Sequence, residues 1–483
     1  DMFVGIDKVF KDELDKTLEP MERVGNRYHV RPIHILDICN LIGNNVVVGG
    51  VRRTSEMFLC DVDDWEVILA KYGINGIWDE KRHEELGRLL YSFDLLPNWW
   101  NDEALLQSRT NLTHRRMSNN SISFKEKPSK EILGLIFEIM KGEGEPGFVN
   151  LEAAKKRRPN AKGLNPCAEV LLDDKQVCNL TTVNVAAFVR EKEGVPILDF
   201  GALLEAQALS VRAGMRMTCI DMELPEWNEK HKRDRLVGAS LTGWKDAMDK
   251  LGYDKSKEEE LLNILANVAF EESIRYANIL RIPIPLLTTT IKPEGTLSQV
   301  AGGVSSGLHV SHAPYYIRRI RINSHDPLAK VAKELGWTIH PEVGQDMETA
   351  TTLVIDFPVK SGAKKTRAEQ TIEEQFETYF MFQENYTHHN SSNTISVKDD
   401  EWSKALDIVY DNWDNFIGVS FLAYDGGTYQ LAPYEEITEE EYNKMKEQMK
   451  PFSIDLLHSI EIEETEKDIE NMESCETGIC PIF

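Results

Sequence analysis

Helical and extended periodicities alternate along the whole of this 483-residue chain, and that alternation restricts the fold more than any single motif. Apolar residues recur at helical spacing over residues 2–17, 31–43, 130–141, 201–215, 259–280 and 366–384. Short β-rich runs lie between them, at Val46, Val47 and Val48, at residues 284–290 and at residues 352–357. Helices alternating with short apolar strands predict an α/β fold with much parallel sheet, because parallel strands need crossovers and are covered on both faces. No long repeat and no Gly/Pro-rich linker interrupts the pattern, so a single large compact unit is expected.

With 55 basic against 80 acidic residues the net charge is −25, the wrong sign for nonspecific nucleic-acid binding. No apolar run is long enough to span a bilayer, and the first residues are charged and amphipathic, so a soluble cytoplasmic protein without membrane attachment is expected. Seven cysteines at uneven spacing are too few for a secreted disulfide framework, so each needs its own explanation. The chain opens at Asp1 with a helix-like segment that no strand or cap precedes, and an upstream portion is expected. From about residue 435 the composition turns Glu/Lys-rich, and the expected division is a catalytic body over 1–455 and a mobile acidic tail over 456–483.

The segment GLNPCAEVLLDDKQVCNLTTVN carries the most chemistry, with Asn165, Cys167 and Glu169 at alternate positions. In an extended loop, alternation points all three side chains the same way. A thiol between an amide and a carboxylate suits a redox or radical centre with an adjacent base. A turn, a buried thiol and a surface carboxylate account for the same letters. Cys178 follows eleven residues after Cys167 and opens a β-rich run, where a thiol also serves as a small buried apolar group.

An apolar run leads into Pro293, Glu294, Gly295, Thr296, Leu297 and Ser298, a turn whose N–H groups and hydroxyls suit a phosphate. The order is not that of a Walker A loop, and a helix cap without ligand fits equally. Gly49, Gly50, Val51, Arg52, Arg53, Thr54 and Ser55 form a flexible turn with two guanidinium groups, suited to phosphate or a base edge, or to plain solvation. Cys475 and Cys480 stand at the end of the acidic run, too few for a zinc site and placed as a swinging dithiol. Cys39, Cys60 and Cys219 are assigned to packing, His388 and His389 to a hydrogen-bonding loop, and no metal site is assigned.

Together these segments resemble the ribonucleotide reductases, specifically the adenosylcobalamin-dependent (class II) kind. NPCAE is similar to that family's finger loop and CNL to its second redox cysteine. DICNLIGNNVVVGGVRRTSE resembles its effector-relay loop, and HRRMSNNSISF, GEPGFVN, KPEGTLS, SGLHVSHAPYYIRR, THHNSSNTISV, YDGGTYQLAPYEEI and CETGICPI extend the likeness in order.

The resemblance implies a ten-stranded α/β barrel threaded by the finger loop, with the radical cysteine buried away from water. It implies that a Cys167 thiyl radical, generated from adenosylcobalamin, takes the ribose 3′ hydrogen while Glu169 takes the 3′-OH proton and Asn165 holds the hydroxyls. Cys178 and an upstream cysteine would supply two electrons, with Cys475 and Cys480 relaying them from thioredoxin or a similar dithiol. Residues 293–298 would hold the substrate phosphates, and residues 49–55 would read the base under a nucleotide effector. Residues 1–30 contain no cysteine, so the resemblance implies a partial barrel completed by a separate or missing N-terminal portion.

The short tail with one CETGIC pair favours ribonucleoside triphosphates over diphosphates as substrate. Two alternatives stay open: a reductase fed by a separate radical-generating subunit, and an inactive nucleotide-binding fragment. Tyr315-Tyr316 is the sole adjacent tyrosine pair, far from the tail cysteines, which disfavours the first.

Overall fold

The computed structural model describes residues 2–45, 47–48, 51–52, 55–77, 79–361, 363–424 and 431–473, without the side chains of residues 47, 48, 51, 52, 143 and 464–473. It divides into two compact units rather than the single one expected. The first comprises Asp1–Val46, Thr54–His312 and Ser361–Asp425; the second comprises Val47–Arg53, Ala313–Lys360 and Gly426–Phe483. Periodicity reveals which residues are strands but not which strands share a sheet, and that information separates the units.

The first unit is an arc of parallel strands. Glu56–Cys60, Ser118–Phe124 and Gly147–Asn150 pair in that order. The Asn150 amide donates to the Ile417 carbonyl at 2.7 Å, just before strand Ser420–Ala423, which pairs with Thr394–Val397. Ser391 bridges Ile291, Thr289 bridges Ala239, and Val237–Thr242 pairs with Asn179–Asn184. Every residue of Val237–Thr242 is buried, as expected of a parallel strand covered on both faces.

Helices Phe200–Met217 and Lys255–Leu280 pack together against the inner end of the arc, their apolar faces closing over Val237, Ala239 and Leu241. Asp254 begins the longer helix by accepting from the Lys257 amide, and Arg281 ends it in the left-handed region. Thr371 and Glu374 form a reciprocal capping box on Ile372–Asn385, which leads directly into the THHNSSN segment.

Two expectations are corrected. The helix over residues 2–17 stops at Phe10, because Asp12 turns left-handed and Asp15 draws the Thr17 amide and hydroxyl into a local turn. Residues 284–290 form no ladder strand: Thr288 and Thr289 run extended beside Ala239, bonded at isolated points.

The second unit is an antiparallel sheet in the order Ile339–Pro341, Thr352–Lys360, Tyr315–Asn323, Tyr434–Glu436, with helices Pro327–Glu334, Glu439–Gln448 and Ile454–Glu473. Arg319 and Asp356, facing residues of adjacent strands, form a buried ion pair at 3.0 Å. The expected tail boundary at 455/456 falls inside this unit, at the start of a helix that continues to Glu473. No helix among the described residues is long and apolar enough to cross a membrane.

Candidate active site

Gly163–Leu164 pairs antiparallel with Leu171–Leu172, so the segment carrying Asn165, Cys167 and Glu169 is the tip of a hairpin. The expected alternation of an extended loop is not what forms. Ala168 sits at φ +61°, which breaks the two-residue period between Cys167 and Glu169. The Ala168 amide donates to the Asn165 carbonyl at 2.8 Å, and the Val170 amide donates to Asn165 Oδ1 at 2.9 Å. Asn165 therefore caps the turn, and its amide favours the charged form of Glu169.

Glu169 is 2% exposed, and its Oε2 has no hydrogen-bond partner. Burial holds its carboxyl above the ordinary range, against the pull of Asn165 and Lys292 and with a push from Glu294. Cys167, in contrast, is exposed, which corrects the expectation of a thiol buried away from water. The turn sends the thiol outward while it folds the carboxylate inward.

Cys178 immediately precedes strand Asn179–Asn184 and is half-buried. Burial and the nearby Glu169 push its thiol well above the usual range, and Arg158 partly opposes them. Gly238, on the adjacent strand, leaves room for Leu180 and Thr290 beside this thiol: a Cβ there would lie 2.5 Å from Leu180 Cδ2 and 2.9 Å from Thr290 Cγ2, but in ordinary contact with Cys178 Sγ at 3.4 Å.

In the turn at residues 293–298, Glu294 occupies the left-handed region at φ +55° with its side chain buried. Thr182 donates to Glu294 Oε1 at 2.6 Å, and Lys292 Nζ lies 3.6 Å from the same oxygen. Gly295 stands over open space, and Ser298 is buried beside Ser306 at 3.2 Å.

Several residues that hold the hairpin went unrecognised in the sequence. Arg158 donates to the Leu171 carbonyl at 2.6 Å and to Asp234 at 2.6 Å, with Gln176 bridging to the same carboxylate at 2.6 Å. His389 accepts from the Leu171 amide at Nδ1, 3.2 Å, and donates from Nε2 to the Val237 carbonyl, 3.2 Å. Its neighbours fix that tautomer, since an amide only donates and a carbonyl only accepts. Thr290 Oγ1 lies 2.7 Å from the carbonyls of both Glu169 and Asn390. THHNSSN was the available signal: its polarity suits a loop, but most of its side chains are buried, and His389 and Asn390 bond the hairpin.

Of the residues suggested at positions 49–55, Val51 and Arg52 form a short strand paired with Val47–Val48, and Ser55 is exposed. Gly49, Gly50, Arg53 and Thr54 lie outside the described residues, as do Cys475 and Cys480. Packing accounts for Cys60, which is buried, but not for Cys219, which is exposed beyond helix Phe200–Met217. Among the described residues no cluster of His, Cys, Asp or Glu is placed to hold a metal ion.

Residues 90–285, which include the whole hairpin, match the family described as "Ribonucleotide reductase, barrel domain". The adenosylcobalamin-dependent ribonucleoside-triphosphate reductase of Lactobacillus acidophilus is 26% identical over 100% of this chain and 62% of its own length. Those of Lactobacillus gasseri and Lactobacillus leichmannii are each 27% identical, over 95% and 92% of this chain and 60% and 59% of theirs. This chain thus spans about three fifths of the length of the curated relatives it matches.

Among solved structures, a B-12 dependent (class II) ribonucleotide reductase superposes with a TM-score of 0.70 at 23% identity, over 95% of this chain and 60% of that one. The class Id ribonucleotide reductase alpha subunit of Actinobacillus ureae gives 0.51 at 13% identity, over 80% and 74%. Residues 90–285 thus match the ribonucleotide reductase barrel domain, on a chain whose fold is similar to that of a B-12 dependent (class II) ribonucleotide reductase.

Proposed function

We propose that this chain carries the reaction centre of an adenosylcobalamin-dependent ribonucleoside-triphosphate reductase, with Cys167 as the radical-bearing thiol. The observation that carries the reading is the hairpin tip, which presents an exposed thiol two residues from a buried carboxylate with an unpartnered oxygen. Cofactor chemistry fits this tip because an exposed thiol is open to a hydrogen-atom acceptor. Adenosylcobalamin, when bound, supplies that acceptor as a carbon-centred radical.

Cys167 then takes the 3′ hydrogen atom of the ribose. Glu169 accepts the 3′-OH proton, a role helped by burial, which brings its basicity nearer to neutrality. Asn165 steadies that carboxylate and the substrate hydroxyls. Cys178, kept protonated by its surroundings, delivers a proton to the departing 2′-OH. With a second thiol it closes a disulfide, so that ribonucleotide and dithiol become deoxyribonucleotide, disulfide and water.

Pro293, Glu294, Gly295, Thr296, Leu297 and Ser298 receive the phosphates over the open space at Gly295. Residues 49–55 answer to the nucleotide effector, Cys475 and Cys480 pass electrons from a thioredoxin-like dithiol, and the setting is the cytoplasm. The triphosphate level follows the relatives named above.

Chromatographic assay of deoxyribonucleotide formed from each ribonucleoside triphosphate, with and without adenosylcobalamin, tests the proposal. Product is expected only with the cofactor, and none from Cys167→Ser, because the hydroxyl does not form the corresponding radical. Product without cofactor, or undiminished turnover by the serine variant, would sink it.

A further inference from the structure

We infer that Asn390 is the positioning residue of the hairpin tip: its side-chain amide fixes the peptide plane that follows Ala168, and with it the directions of the Cys167 thiol and the Glu169 carboxylate. The inference rests on reading that tip as the reaction centre.

All four valences of the amide are used. Nδ2 donates to the Ala168 carbonyl at 2.7 Å and to the Gly418 carbonyl at 2.9 Å. Oδ1 accepts from the Tyr379 hydroxyl at 2.9 Å and from Gln383 Nε2 at 2.9 Å. The opposite amide orientation would set an oxygen against two carbonyls, so the partners determine the assignment. The Asn390 main-chain amide adds a bond to the Glu169 carbonyl at 3.1 Å. Both carbonyls that flank the base are thus held by one residue.

That hold acts where the backbone is least at ease. Ala168 is a non-glycine residue in the left-handed region, a strained conformation that persists only where its surroundings impose it. Asn390 is itself anchored, since Arg157 donates to the Gln383 carbonyl at 2.8 Å and to the His389 carbonyl at 3.3 Å. Through Gly418 the same amide ties the tip to the strand arc. None of its hydrogen bonds goes to residues 293–298, so substrate phosphate binding and tip geometry are separable.

Hydrogen-atom transfer tolerates little displacement, and a misplacement of about 1 Å costs on the order of 100-fold in rate. The test compares Asn390→Asp and Asn390→Ala by amide hydrogen exchange, steady-state kinetics and thermal melting. In Asn390→Asp two carbonyls face a carboxylate oxygen, so it should be the worse variant despite being nearly isosteric; a space-filling role predicts the reverse order.

Exchange at the Ala168 and Val170 amides should quicken at least about ten-fold while helix Lys255–Leu280 is unchanged. Turnover kcat should fall about 100-fold with KM within about three-fold. Should either variant fail to fold, Tyr379→Phe, which removes one bond to Oδ1, should shift the same observables in the same direction by less. A milder Asn390→Asp, a raised KM with kcat retained, or unaltered tip exchange would overturn the inference. Exchange needs no turnover, so localised quickening in a protein that makes no deoxyribonucleotide would leave the positioning role standing and refute the reaction assigned to the tip.

Discussion

The side-chain oxygen of Asn165 takes the amide hydrogen of Val170 at 2.9 Å, closing the hairpin across the four residues that include Cys167. One asparagine thus both shapes the turn and favours the charged form of Glu169, the proposed base.

Asn165→Ala should therefore lose more than a substrate contact. Removing the oxygen leaves the Val170 amide unpaired in a buried setting, at a cost of about 1–3 kcal/mol. Turnover should fall about 100-fold or more, with a melting shift of a few degrees. Asn165→Asp keeps the acceptor but sets a second carboxylate beside Glu169. It should preserve the melting temperature better than alanine while shifting the base limb of the pH–rate profile upward. If aspartate melted no higher than alanine, the capping role would be refuted.

The dithiol proposed at Cys475 and Cys480 makes a prediction about reductants. Thiol exchange requires direct sulfur-to-sulfur attack, and a bulky protein reductant is poorly placed to reach the half-buried Cys178 thiol. Cys475→Ser or Cys480→Ser should abolish thioredoxin-driven deoxyribonucleotide formation and largely spare formation driven by dithiothreitol. Equal loss with both reductants would show a role other than relay.

The parts of this design legible in sequence are those encoded by neighbours. Asn165, Cys167 and Glu169 lie within five residues, so their chemistry could be read directly, and helices such as Lys255–Leu280 announce themselves by period. The turn at Ala168 could not be read, because nothing about alanine signals a left-handed residue; it is imposed by Asn390, 222 positions away. His389 was read as a loop hydrogen-bonder, but Leu171 and Val237 as its partners belong to tertiary structure. The second unit was missed for a similar reason, since Tyr315–Asn323 pairs antiparallel with Thr352–Lys360 although each run alone is compatible with a parallel strand.

Gly238 offers a test of packing beside Cys178, the thiol proposed to be redox-active. A Cβ at this position would lie 2.5 Å from Leu180 Cδ2 and 2.9 Å from Thr290 Cγ2, closer than real contacts allow. Gly238→Ala should cost about 1–3 kcal/mol by overpacking. Because Thr290 also holds the Glu169 carbonyl, turnover should fall along with stability. Urea denaturation and steady-state assay check both, and an alanine variant of native stability would mean that the strands yield freely.

His389 makes the stability of this fold depend on pH, with a sign fixed by its surroundings. Complete burial, together with the positive charges of Arg158 and Arg157, pushes its pKa down to about 3 in the folded state. In the unfolded chain an imidazole titrates near 6.5. Between those values the unfolded state binds a proton that the folded state refuses. Stability contributed by the neutral ring is therefore present above about pH 6.5 and is lost as pH falls toward 3, at up to about 1.4 kcal/mol per pH unit. Over the window from pH 6.5 to 5, before most carboxylates titrate, the loss from this one residue approaches about 2 kcal/mol. His389→Gln removes the titration. It should be less stable at pH 7, where the bonds to Leu171 and Val237 are disturbed, but its stability should fall less steeply between pH 6.5 and 5. His388 and His309, whose pKa values burial also lowers, remain in both proteins and cancel in the comparison. Urea unfolding at half-unit pH steps measures the two slopes. Parallel slopes would show that His389 takes up its proton in the folded state, and the neutral bridge between hairpin and strand would have to be abandoned.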